Sequence, residues 1–227
     1  MLHESLSRLQ RDEAETVRKS REDLKKELSF LEEASEMFLK TFEVLSNENV
    51  QKFTYSKDAS YRISYRIFRI LRCASNSSLE GYYDISMALL RIAYENHLLM
   101  KYLSESEKEA ILWFKGKRFS PASIRRNVSY SNNVMYQNMS EFIHSSFKST
   151  FAFTKMEKNR TKANLGEYDN EQSKTVLLLV LLTMETTLIW LSLTFAQELM
   201  KRESWHSMFK KTVPKIWKLF KKLEKKT

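Results

Sequence analysis

Three glycines and two prolines in 227 residues leave this chain few places to turn. Average usage would supply roughly 16 and 11. Sheet proteins consume both residues in tight turns. The deficit therefore predicts long helices joined by few loops, an all-α helical bundle. The length suffices for one well-buried domain plus an appendage. Cys73 is the single cysteine, which excludes an internal disulfide and fits a reducing compartment. The opening residues "MLHESLSRLQRDEAE" are charged throughout and lack the apolar run of a signal peptide. A cytoplasmic location is the expectation.

Apolar residues at Ala14, Val17, Leu24, Leu28, Leu31, Phe38, Phe42 and Leu45, with Arg21 and Ser35 filling the seam, alternate in steps of three and four. That heptad predicts a helical, coiled-coil-like arm over residues 1–50, either self-associating or packed on its own bundle. A bundle is expected over 56–203 and a basic tail over 204–227. Asp58 reads as the N-cap of a helix "ASYRISYRIFRILRCAS", whose Ile63, Ile67, Ile70, Leu71 and Ala74 share one face. Cys73 reads as a small core residue of that helix. "SNSS" reads as the cap of a helix over 79–103. "ESEKEAILWFKGK" follows, closed by Gly116, and then "FSPASIRR", with Ser120 as cap and Pro121 in the first turn. "NNVMYQNMSEFIHSSF" reads as a further helix and "KMEKNRTKANLGEYDNEQS" as a long polar loop. A short basic helix is expected after Pro214, with eight lysines between Lys210 and Lys226.

The segment Val176–Ala196 is long and apolar enough to cross a bilayer, with Glu185 as its one charge. The alternative is a central bundle helix, apolar all round because neighbours surround it. The second reading is preferred, and it requires a cation for the buried Glu185.

Charge points to an anionic partner. Residues 51–130 carry 14 basic against 7 acidic side chains, and the last 27 residues carry 10 against 2. Arg62, Arg66, Arg69 and Arg72 fall opposite the apolar face of their helix, bordered by Tyr61 and Tyr65. With Lys218, Lys221 and Lys222 of the tail they form the candidate nucleic-acid-binding set, for RNA or DNA. The leading expectation is thus a non-enzymatic binding protein, with tyrosines available for base stacking. A membrane-associated protein, held by Val176–Ala196 or by the tail on a lipid surface, is an alternative.

The stretch "LLRIAYENHLLMKYL" carries Arg91 and His97 on one helix. This arginine–histidine spacing resembles that of HEPN-type helical domains. The resemblance implies a metal-independent ribonuclease, active as a homodimer, with Arg91 stabilising phosphate charge and His97 moving a proton. Read from the residues alone, Glu95 lies one turn from Arg91 and makes a structural pair with it. The runs "ALLRIAYE", "WFKGKRFSPASIRR" and "YQNMSEFIHSSF" resemble a loosely defined group of uncharacterised bacterial and archaeal helical proteins, implying a bundle fold. Tyr136, Ser140 and His144 recur every four residues and, with Glu95, Arg125 and Arg126, are candidates for a polar cleft. Four dispersed histidines offer no metal-ligand spacing. Three scattered glycines make no phosphate loop, and no cofactor is expected.

Overall fold

The computed structural model describes residues 2–48, 53–128, 154–157, 160–163 and 167–224. Among these residues the chain forms nine helices and one hairpin. They are α1 (Leu2–Asp23), α2 (Lys25–Ser46), α3 (Tyr55–Leu79), α4 (Tyr83–Ser104), α5 (Glu107–Phe114) and α6 (Pro121–Asn127), then β1 (Thr154–Glu157) and β2 (Arg160–Ala163), then α7 (Asn170–Thr194), α8 (Ala196–Leu199) and α9 (Glu203–Glu224). The protein is an all-α helical bundle. The hairpin pairs Thr154 with Ala163 and Glu157 with Arg160 in antiparallel register. It lies in the segment that sequence reads as loop, because "TKME" and "RTKA" show little of the apolar–polar alternation that announces a strand. The helix expected over "NNVMYQNMSEFIHSSF" lies outside the described residues.

Two compact units divide the chain. One comprises Met1–Ser29, Ile70–Ile92 and Asn132–Val180, the other Phe30–Arg69, Ala93–Ser131 and Leu181–Thr227.

In the first unit, α1 buries Thr16 and Ser20, and Leu24 is buried just after it. Thr16 and Ser20 sit one position from the expected seam residues Val17 and Arg21, and Ala14 and Arg21 are exposed, while Leu24 is buried on the seam itself. Small side chains make the close contacts. The Ser20 hydroxyl donates to the Leu79 carbonyl at 3.1 Å, that of Ser86 donates to the Ala74 carbonyl at 3.0 Å, and those of Ser78 and Ser173 lie 3.4 Å apart. These buried polar groups are thereby satisfied. The α3–α4 turn is built on Gly81, whose φ of 87° is left-handed. Its N–H bonds the Ser78 carbonyl and the Tyr82 N–H bonds the Ser77 carbonyl, the paired bonds of a Schellman stop. "SNSS" is therefore the end of α3 and not a cap for α4. Ser75 there turns inward and donates to the Leu71 carbonyl.

In the second unit, α2 buries Leu31, Met37, Phe38, Phe42 and Leu45. Phe38 stacks on Phe68 of α3 with centroids 5.2 Å apart, and Tyr61 and Tyr65 meet Phe42 edge-on. Trp205 of α9 is fully buried, and its indole N–H donates to the Thr41 hydroxyl at 2.8 Å. The expected short helix after Pro214 is thus longer: α9 starts at Glu203 and runs through Pro214. Proline costs an interior helix about 3 kcal/mol. Burial of Trp205, Thr212 and Ile216 and the Lys215–Glu33 pair at 2.9 Å hold α9 together across it.

The apolar segment forms most of α7. Val176, Leu177 and Val180 are buried in the first unit, and Leu181, Met184, Leu188 and Leu191 in the second. By length and hydropathy α7 could cross a membrane, and 61% of its most apolar stretch is buried inside the protein. Glu185 departs from expectation. It is 1% exposed, yet among the described residues neither carboxylate oxygen has a hydrogen-bond partner. Burial pushes this carboxyl up to about 7. Below that pH the carboxyl is held neutral, which lowers the cost of burying it without the cation expected from the sequence.

Candidate nucleic-acid interface

In the second unit, the N-terminus of α3 is held by residues of the preceding loop and of α5. Thr54, not Asp58, caps this helix: its hydroxyl accepts from the Lys57 N–H at 3.3 Å. The Glu107 carboxylate, from the first turn of α5, accepts from the Tyr55 and Ser56 N–H groups at 2.8 and 3.0 Å. Burial opposes ionisation of Glu107, but the Ser56 and Tyr55 contacts outweigh it and hold the carboxyl below its usual range. A negative group at a helix N-terminus is also favoured by the helix dipole. Asp58, freed from capping, pairs with Arg62 at 2.8 Å.

With Ile63, Ile67, Leu71 and Ala74 buried along its inner face, α3 turns Arg62, Arg66, Arg69 and Arg72 to the exterior, all exposed. Among the described residues no acid pairs with Arg66, Arg69 or Arg72. Tyr65 is 49% exposed on this face, while Tyr61 is half-buried. Cys73, expected in the core, is exposed, because Leu71 and Ala74 take the inward positions beside it. Lys218 is exposed on α9; the side chains of Lys221 and Lys222 lie outside the described residues.

A second cluster adjoins the start of α3. The Arg62 guanidinium sits 5.9 Å from the centroid of Phe114, a residue 38% exposed. Phe114 also meets Tyr55 at 5.5 Å and Trp113 at 5.0 Å, both edge-on. Past α5 the chain reverses at Gly116, φ 89°, through a second Schellman pair: Gly116 N–H to the Trp113 carbonyl and Lys117 N–H to the Leu112 carbonyl. The reversal lays Lys117, Arg118 and Phe119 beside Trp113 and Leu99 around a cleft of about 360 Å³. Tyr102 supports Phe119 edge-on at 5.4 Å, and the Lys117 ammonium lies 4.8 Å from the Phe119 centroid and 3.1 Å from Glu109. Sequence reasoning did not select this cleft, though aromatic and basic residues interleave around the glycine in "WFKGKRF".

His97 is 5% exposed on α4. Its Nδ1 lies 3.1 Å from the Thr187 hydroxyl, which donates its own proton to the Thr183 carbonyl at 2.7 Å. Nδ1 must then be the donor, so the hydrogen-bond network assigns the neutral Nδ1–H tautomer. Burial and, less strongly, the Lys101 ammonium one turn away lower this imidazole to about 4. An imidazole neutral at pH 7 and sealed from solvent has the surroundings of a packing residue. Arg91 and Glu95 are half-buried on the same helix.

Arg125 is half-buried and Arg126 exposed in the last turn of α6, while Tyr136, Ser140 and His144 lie outside the described residues. Among the described residues no group of three His, Cys, Asp or Glu side chains is placed to hold a metal ion.

The surface of this unit thus offers exposed cations, aromatic faces and a shallow cleft. No protein-family model, no curated protein and no solved structure matches the chain.

Proposed function

We propose that the protein binds nucleic acid, non-enzymatically, through the exposed arginine face of α3. The observation that carries this reading is the row Arg62, Arg66 and Arg69 on the outer face of a helix with a buried inner face, with Tyr65 exposed among them. Three or four cations at helical spacing suit successive phosphates, and a chain of net charge +10 attracts a polyanion from a distance. Tyr65 adds a ring against which an unpaired base stacks. The ribonuclease alternative rests on Arg91 and His97, and the burial of His97 weighs against it.

Fluorescence anisotropy with a labelled 20-nucleotide RNA at low salt tests the proposal. Wild type should bind, and Arg62→Ala/Arg66→Ala/Arg69→Ala should bind at least tenfold more weakly while keeping its helical circular dichroism. No binding by wild type would reduce the arginines to a solvated face.

A further inference from the structure

From the cleft beside α5 we infer a seat for an unpaired base of a single-stranded nucleic acid, with Trp113 and Phe119 as its stacking walls. The inference rests on the nucleic-acid reading above and deepens it. Four observations support it. The cleft, about 360 Å³, falls within the size range of small-ligand sites. Its lining combines two aromatic rings with Arg118 and with Lys117, the latter paired to Glu109, and a nucleotide offers a flat π-face to the rings and a phosphate to Arg118. Arg118 is exposed, with no acid paired to it among the described residues, and so is available to a phosphate. Finally, the cleft is joined to the arginine face by an unbroken series of contacts, Trp113 to Phe114 and Phe114 to Arg62. A strand tracking the α3 arginines therefore reaches the cleft by way of Arg62, which carries its own partner Asp58, and the ring of Phe114.

Charge and shape together select the occupant. A duplex keeps its bases stacked and presents phosphates and base edges but no free ring face, so it can use the arginines but not the cleft. A single strand can use both, because an unstacked base is free to leave the strand and lie against an aromatic ring. Gly116 makes the seat possible: its left-handed φ turns the chain back so that Lys117–Phe119 line the same cleft as Trp113. The cleft thus adds a preference for single strands to an otherwise sequence-blind cationic face.

The test compares a labelled 12-nucleotide single-stranded RNA with the duplex of the same sequence, by anisotropy at one low salt concentration. Wild type should favour the single strand. Trp113→Ala should lower single-strand affinity on the order of tenfold, as stacking contributions predict, and leave duplex affinity unchanged. Trp113→Phe, which keeps a ring, should recover most of the loss. Should Trp113→Ala fail to fold, Arg118→Gln, at an exposed position, should likewise weaken the single strand more than the duplex. Equal affinity of wild type for both probes, or equal losses on both in the variants, would overturn the cleft and leave the arginine face standing. Absence of binding to either probe would overturn both.

Discussion

His97 and Glu185 are two buried titratable residues whose burial acts in opposite directions. The folded protein holds Glu185 at about 7 against an ordinary value of 4.5, so its neutral form favours folding fully below pH 4.5. That contribution is lost as pH rises to 7. It holds His97 at about 4 against 6.5, so stability from the neutral imidazole is complete above pH 6.5 and is lost as pH falls to 4. Between pH 4.5 and 6.5 the two slopes, each about 1.4 kcal/mol per pH unit, oppose each other. Separate variants should expose them. Relative to wild type, Glu185→Gln should gain stability as pH rises from 4.5, reaching on the order of 3 kcal/mol by pH 7.5. His97→Leu should gain relative to wild type as pH falls from 6.5. Urea denaturation at pH 5, 6, 7 and 8 measures both, and difference curves flat in pH would refute the assignment. That Glu185 would be buried was legible in sequence from its apolar surroundings. That its oxygens would lack a hydrogen-bond partner among the described residues was not, because the identity of a buried group's neighbours depends on tertiary packing.

At the scale of elements, the sequence was most readable where punctuation was chemically unambiguous. Ser120 before Pro121 starts α6 as expected, its hydroxyl accepting from the Ser123 N–H at 3.1 Å, and Gly116 ends α5 as expected. It was least readable where polar residues had two uses. Ser and Asn favour caps, but a serine hydroxyl can equally bond a carbonyl one turn back inside a helix, as Ser75 does. This is why the α3–α4 boundary belongs to Gly81. Gly81→Ala should lower stability by about 1–2 kcal/mol, the cost of a left-handed non-glycine residue, with a matching fall in the denaturation midpoint. An unchanged midpoint would mean that the turn relaxes around the new side chain. The arginine face was legible because one helix carries both its inner and outer stripes, so periodicity alone separates them. The cleft was not, because Leu99 comes from α4 and Trp113 from α5, and no periodicity within one helix encodes their meeting.

For the molecule as a whole, composition limited the fold class before any motif was considered: few glycines and prolines meant helices, and among the described residues only a four-residue-per-strand hairpin departs from that. Charge bears on partners, not on fold, and on α3 Arg66, Arg69 and Arg72 are exposed with no acid paired to them among the described residues, while Arg62 is paired with Asp58. Those cations, in the function proposed above, meet phosphates. A salt titration of binding tests this most directly, since each neutralised phosphate of a single strand contributes about −0.7 to the slope of log affinity against log salt. Wild type should bind a single-stranded RNA with a slope of several units, and the Arg62/Arg66/Arg69 triple alanine variant should have a slope shallower by about 2. A wild-type affinity indifferent to salt, or identical slopes for the two proteins, would contradict the claim.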